Sequence, residues 1–255
     1  MSTTKLNQQH WALRINPGPV VGGITSRQAG NLRFHSADQH AVATARHTVL
    51  AELGVVSFPL VETQQVHGDN VFVVTLSSLP EIKKPDGRYV APASDALITT
   101  MSEVTLSLYY ADCVPILLWL PRGKGIGLVH AGWRGSLQNV AGKTVSALCQ
   151  LTNTSPAELH VILGPSICRD CYEVGPEVAE QAAILPDAED FLRREHQHWH
   201  LDLKALNSWL LVEAGVDPAR VEVSSLCTRC RPDLFFSYRA EGPGCGEMGA
   251  FIAIL

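Results

Sequence analysis

The sequence has no long apolar run, no run of like charge and no internal repeat. Each absence excludes a class of protein. The longest apolar stretches, such as residues 113–120, are too short to cross a bilayer, so no membrane partner is expected. With 20 Lys+Arg against 25 Asp+Glu the net charge is −5, and no basic cluster offers a footprint for nucleic acid. The opening residues, MSTTKLNQQHWALRINPG, lack the apolar centre of a secretory signal, so the expected location is cytoplasmic. The seven cysteines are an odd number, which argues against a complete disulfide framework. In a reducing compartment they are buried thiols, metal ligands or a nucleophile. No heptad or apolar stripe marks an oligomer interface, and the oligomeric state is not legible.

What is present is a chain of 255 residues, 46% of them hydrophobic, enough for one large core. Residues 1–19 read as a loosely ordered lead-in and residues 20–255 as one α/β domain, since no linker cuts them. Residues 20–25 and 71–76 are expected strands, and 31–36 a loop. Asp38 caps an expected helix that Gly54 ends, with Val42, Ala45, Val49 and Leu53 at helical spacing. Residues 77–93, rich in proline, glycine and charge, read as a surface excursion. Helices are expected over 135–151, 176–183 and 203–214. Further strands are expected over 159–163, 221–224, 234–238 and 250–255. Strands often follow one another directly, so mixed sheets fit better than a doubly wound one.

The chemistry gathers between residues 94 and 143. One short apolar run, 104–110, ends in Ala111-Asp112-Cys113; another, 126–129, ends in His130-Ala131-Gly132-Trp133-Arg134-Gly135. Both read as buried strands that hold a thiol and an imidazole on rigid elements. With His67 as third member they are a donor set that suits zinc, with a fourth position open to water or substrate. The same residues allow a metal-free pair with Cys113 as nucleophile and His130 as base. They also allow copper, although a multicopper site needs more clustered histidines than this chain assembles. The spacing matches no compact ligand motif, so a buried thiol with two hydrogen-bonded histidines is the plain alternative. Asp112 and Arg134 weigh against it, because a charge at the end of a core strand needs a partner or a task.

Three weaker features remain. His196, His198 and His200 alternate, as a strand would need to bring imidazoles to one face, but their charged surroundings read as surface. Cys168/Cys171 and Cys227/Cys230 are two Cys-x-x-Cys pairs whose 55-residue gap (172–226) exceeds that of a zinc ribbon. A fold that joined them would make a structural zinc site. Arg46, Arg134 and Lys143 are candidate anion binders.

Together, QVHG at 65–68, SDALIT at 94–99, ADCVP at 111–115, HAGWRG at 130–135, CYEV at 171–174, CT at 227–228 and FFSYR at 235–239 resemble the YfiH or laccase-domain family. Its members have been called polyphenol oxidases, multifunctional purine nucleoside phosphorylases and peptidoglycan editing factors. The resemblance runs from about residue 20 to 255. It implies an α/β (α+β) fold: a single-domain, layered α/β/β/α sandwich with mixed sheets, similar in plan to cysteine-hydrolase toxins. It implies zinc, or less readily copper, held by His67, Cys113 and His130. It implies phosphorolysis of adenosine, inosine and methylthioadenosine, with adenosine deamination, so the partners are a nucleoside and phosphate. On that reading His67, Cys113, His130 and Asp112 are catalytic, Asp112 as acid or base, and Arg46 or Arg134 holds phosphate. The alternative is an amidase on muropeptide precursors that uses Cys113 and His130, or the zinc. Two positions depart from the family pattern. Ser166 stands where many members have cysteine, and Glu247 stands where arginine is usual.

Overall fold

The computed structural model describes residues 10–33 and 38–255. Residues 34–37, which include the end of the loop expected over 31–36, lie outside them, as do residues 1–9 of the lead-in. Two six-stranded sheets face each other. The first runs Trp11–Ile15, Val20–Thr25, Met248–Ile254, Thr105–Tyr110, Leu60–Thr63, Tyr89–Ala91. The second runs Val221–Val223, His160–Leu163, Val114–Trp119, Ile126–Ala131, Ala96–Thr99, Val71–Val74. A small third sheet joins Glu173–Val174, His198–Leu201 and Leu192–Glu195.

Side-chain parity sets the layers. In Thr105–Tyr110, Leu106, Leu108 and Tyr110 point between the sheets, while Tyr109 joins the core under the helix Gln39–Leu53. In Met248–Ile254, Ala250, Ile252 and Ile254 point inward, and Phe251 and Ala253 pack toward that same helix. In Val114–Trp119, Leu117 and Trp119 face the first sheet, and Val114, Ile116 and Leu118 face the helices Val140–Thr152 and Leu203–Glu213. The order helix, sheet, sheet, helix follows, so the layered sandwich expected from the resemblance is the observed fold. Both central sheets are covered on two faces, which is why their strands read as unbroken apolar runs rather than alternating ones.

Several elements differ from the sequence expectation. The lead-in contains the strand Trp11–Ile15, which folds back on Val20–Thr25 across the turn at Gly18 (φ +71°). The excursion over 77–93 holds a short helix, Ser78–Ile82, and the strand Tyr89–Ala91. The helix expected over 135–151 is two, Trp133–Leu137 and Val140–Thr152. Asn139 breaks it with left-handed backbone (φ 62°) and caps the second part through its side chain to the Gly142 N–H. No strand forms over 234–238. Phe235 is buried there, and a short helix, Tyr238–Glu241, follows. No helix among the described residues is long and apolar enough to cross a membrane.

Candidate active site

The topology brings distant residues to one end of the sandwich. Leu60–Thr63, Tyr89–Ala91 and Thr105–Tyr110 are parallel neighbours in the first sheet and leave it at the same end. Each chain then crosses to the second sheet, entering Val71–Val74, Ala96–Thr99 and Val114–Trp119. The three crossings carry His67, Asp95 and Cys113. Ile126–Ala131 runs antiparallel to the strands it adjoins, so its C-terminal end, with His130, arrives where the crossings land.

Side-chain donor atoms of His67, Cys113 and His130 all lie within 4.8 Å of one another. The two imidazole rings meet edge to face, centroids 4.8 Å apart. His130 is buried, Cys113 half-buried and His67 exposed, so the group opens to solvent at His67. His67 (φ 60°) and Asp112 (φ 93°) both hold left-handed backbone, a strained state for residues with a Cβ that clusters at working sites. Gly132 makes room for the group. A Cβ there would stand 3.0 Å from Cys113 Sγ and 3.1 Å from His67 Cδ2. At Gly135 a Cβ would meet the Gly68 carbonyl oxygen at 2.6 Å, so the helix after His130 packs directly on the His67 loop.

Asp95 is the functional residue that sequence reasoning missed. Its side chain is fully buried and accepts backbone N–H bonds from Val66 (3.2 Å), His67 (3.0 Å) and Gly68 (2.7 Å). It also accepts from Nδ1 of His130 at 2.8 Å. A carboxylate only accepts, so Nδ1 carries the proton and Nε2 is the nitrogen left for Cys113 or a metal. The available signal was an acid placed immediately before the apolar run Ala96-Leu97-Ile98.

The electrostatics follow. Burial alone would push the Cys113 thiol up, but the His130 charge and hydrogen bonds from His130 and His67 bring it down to about 6. Burial opposes charge on His130, yet Cys113 and Asp95 raise it to about 10. The pair therefore favours thiolate beside imidazolium when no metal is bound, and the thiolate is the form that binds metal.

The other expected residues are placed as follows. Asp112 is buried with both oxygens engaged: Thr228 Oγ1 donates at 2.6 Å and the Arg239 backbone N–H at 2.7 Å. Arg134 is exposed beside the group, its guanidinium 4.1 Å from the Trp133 ring centre. Tyr172 is raised well above its ordinary range, first by burial and then by Cys113, while Arg239, its guanidinium 5.0 Å from the Tyr172 ring centre, and Arg134 oppose the rise. Arg46 is not brought to the group. It donates to the Leu32 carbonyl at 2.7 Å, pairs with Glu62 at 2.9 Å and stacks on Tyr109, beside a cavity of about 380 Å³. Lys143 pairs with Asp69 on the His67 loop. Glu247 pairs with Arg33 at 2.6 Å, which gives the departed position a local partner.

His196 sits at a left-handed turn (φ 55°), His198 pairs with Glu173 at 2.6 Å, and Nδ1 of His200 lies 3.2 Å from the Arg169 carbonyl oxygen. These three histidines are not among the groups able to hold a metal in the described residues. The two Cys-x-x-Cys pairs do converge.

These features define a layered protein with a His/Cys/His centre at the sheet crossings. The sequence matches the family described as multi-copper polyphenol oxidoreductase laccase over residues 21–255, and the chain belongs to that family. It is 34% identical over 258 residues to purine nucleoside phosphorylase YlmD of Geobacillus stearothermophilus, covering 94% of this chain and 93% of that one. The YlmD crystal structure from that organism superposes with TM-score 0.89 and 31% identity, over 98% of each chain. A hypothetical protein YfiH of Bacillus licheniformis gives TM-score 0.88 at 30% identity, again over 98% of each. Adenosine deaminase RL5, from an unknown prokaryotic organism, is 34% identical over 213 residues, 82% of this chain and 80% of that one.

Proposed function

We propose that this protein is a zinc-dependent purine nucleoside phosphorylase acting on adenosine, inosine and methylthioadenosine, with adenosine deaminase activity. The observation that carries the reading is the convergence of His67, Cys113 and His130 within 4.8 Å at an exposed opening. The names of the relatives supply the substrate class. Two imidazoles and a thiolate are a zinc donor set with one position left open, and Asp95 behind His130 is the carboxylate partner that ligating histidines require. Copper fits less well, because the described residues bring only two histidines to this centre.

Zinc held by His67, Cys113 and His130 would supply Lewis acidity to a polar group of the substrate. The protein's own residues do the rest. Asp95 fixes the His130 ring and the His67 backbone together, so the donors are preorganised. Arg134 and Arg239 hold phosphate near the sugar and place its oxygen for attack at C1′ as the purine leaves. Tyr172, with the Arg239 guanidinium over its ring, forms the wall against which the nucleoside lies. Asp112, with both oxygens committed, positions Thr228 and the backbone of Arg239 rather than moving a proton.

The test is protein stripped of metal and then reloaded with zinc, given inosine and phosphate. The reading expects hypoxanthine and ribose 1-phosphate from the reloaded protein and neither from the stripped one. Reloaded protein that leaves inosine intact but releases an amino acid from muropeptide precursors would replace this reading with the amidase.

A further inference from the structure

The four sulfurs of Cys168, Cys171, Cys227 and Cys230 lie within 4.8 Å of one another, although the two pairs are far apart in sequence. All four are free thiols, and Cys171 Sγ stands 3.4 Å from Cys230 Sγ. Each sulfur is near the other three, which describes a tetrad and not two disulfides. Four thiolates around one zinc at about 2.3 Å have sulfurs about 3.8 Å apart, within the reach seen here. We infer that Cys168, Cys171, Cys227 and Cys230 bind a second, structural zinc ion, separate from the centre at His67, Cys113 and His130.

One sulfur of the four sits among donors that favour negative charge. Cys227 Sγ accepts the backbone N–H of Cys168 at 3.3 Å and that of Cys230 at 3.4 Å, one from each Cys-x-x-Cys arm. Beneath lies Lys204, only 7% exposed, whose ammonium donates to the carbonyls of Ser224 (2.8 Å) and Leu226 (3.1 Å). Its charge acts on Cys227 and Cys168. Asp202 also acts on that ammonium, and beside four zinc-bound thiolates the cation offsets part of their net negative charge. With four protein ligands the coordination is closed, which is the structural and not the catalytic form.

The site also has a mechanical consequence. It clamps the segment after His160–Leu163 to the segment after Val221–Val223. Those two segments anchor Asp112: the Ile167 N–H donates to its carbonyl at 3.0 Å, and Thr228 donates to its carboxylate. Thr228 N–H donates to the Ser166 carbonyl at 3.1 Å, closing the link. Asp112 adjoins Cys113, so the clamp sets one wall of the active site.

The experiment uses a Cys113→Ala background, which removes the other metal centre and makes the outcome independent of the function proposed above. Purified Cys113→Ala protein is expected to retain about one equivalent of zinc per chain. Adding Cys171→Ser and Cys230→Ser is expected to bring zinc to background. Unchanged zinc after those replacements, or no zinc in Cys113→Ala protein, overturns the site. If the triple variant fails to fold, X-ray absorption on Cys113→Ala protein alone decides. A shell of four sulfurs at about 2.3 Å supports the site, and nitrogen or oxygen in the shell, or disulfides found by mass spectrometry, overturns it.

Discussion

Oδ1 of Asp95 sits 2.8 Å from Nδ1 of His130 and, at 3.0 Å, accepts the backbone N–H of His67. One buried oxygen therefore fixes two of the three members of the donor set, and it comes from the middle of the three sheet crossings. Asp95→Asn keeps the volume but offers an amide where a carboxylate was, which disturbs the His130 tautomer. Zinc affinity is expected to fall by roughly 10–100-fold, read by competition with a chelator. Burial pushes the Asp95 carboxyl up, but His130 and the N–H groups of Gly68 and Val66 outweigh it and hold it below its ordinary 3.8. Because the folded value is depressed, its stabilisation is present above pH 3.8 and is lost as pH falls below it. Wild-type stability should decline through that acid window more steeply than that of Asp95→Asn. Parallel profiles would show that Asp95 is not the group responsible.

Metal-stripped protein should carry an unusually reactive Cys113. With its pKa brought down to about 6, alkylation by iodoacetamide should reach its plateau by neutral pH. The same titration in His130→Ala should move up toward the ordinary value near 9, since the imidazolium is the main group lowering it. Wild-type reactivity still rising between pH 8 and 9 would contradict the thiolate–imidazolium pair.

Gly132→Ala tests how closely the donors are packed. The added Cβ would stand 3.0 Å from Cys113 Sγ and 3.1 Å from His67 Cδ2, so both donors must give by a few tenths of an ångström. A displacement of about 1 Å at such a site costs roughly 100-fold, so a shift of a few tenths should cost several-fold in turnover. The melting temperature should move little, because Gly132 has ordinary backbone dihedrals (φ −80°). A variant with normal turnover would mean that the three donors do not act as one group.

Arg46 and Arg134, both anion-binding candidates in the sequence, should behave differently. Arg46 is buried against Glu62, so Arg46→Ala should cost about 3 kcal/mol of stability, with Arg88 and Tyr109 still meeting Glu62. Its KM for phosphate should be unchanged. Arg134→Ala should leave stability alone and raise the KM for phosphate roughly tenfold, about 1.4 kcal/mol. Denaturant melts and phosphate titrations of both variants check the pair, and the reverse pattern would exchange their assignments.

Much of this was legible in the chain because it is local. Apolar runs ending at Tyr110 and Val129 mark core strands, and the reactive residues at their ends are then held rigidly. Asp38 and Gly54 bound their helix as a side-chain cap and a left-handed stop. The rest depends on pairing between distant segments. That His67, Asp95 and Cys113 lie on successive crossings follows only from which strands are parallel neighbours. Residues 234–238, Leu-Phe-Phe-Ser-Tyr, have strand composition. The chain turns there because Phe235 fills a small core with Met248 and Ala12, and the Arg239 N–H is drawn to Asp112. Asn139 reads as helical by its apolar neighbours, yet its tolerance of left-handed backbone lets it end one helix and cap the next.

The central claim is that the His67, Cys113 and His130 centre processes purine nucleosides. The most direct test incubates zinc-quantified protein with adenosine, with and without phosphate, beside Cys113→Ala. The account predicts adenine and ribose 1-phosphate only when phosphate is present, inosine without it, and neither product from the variant. Zinc-loaded wild-type protein that leaves adenosine unchanged under both conditions would contradict it.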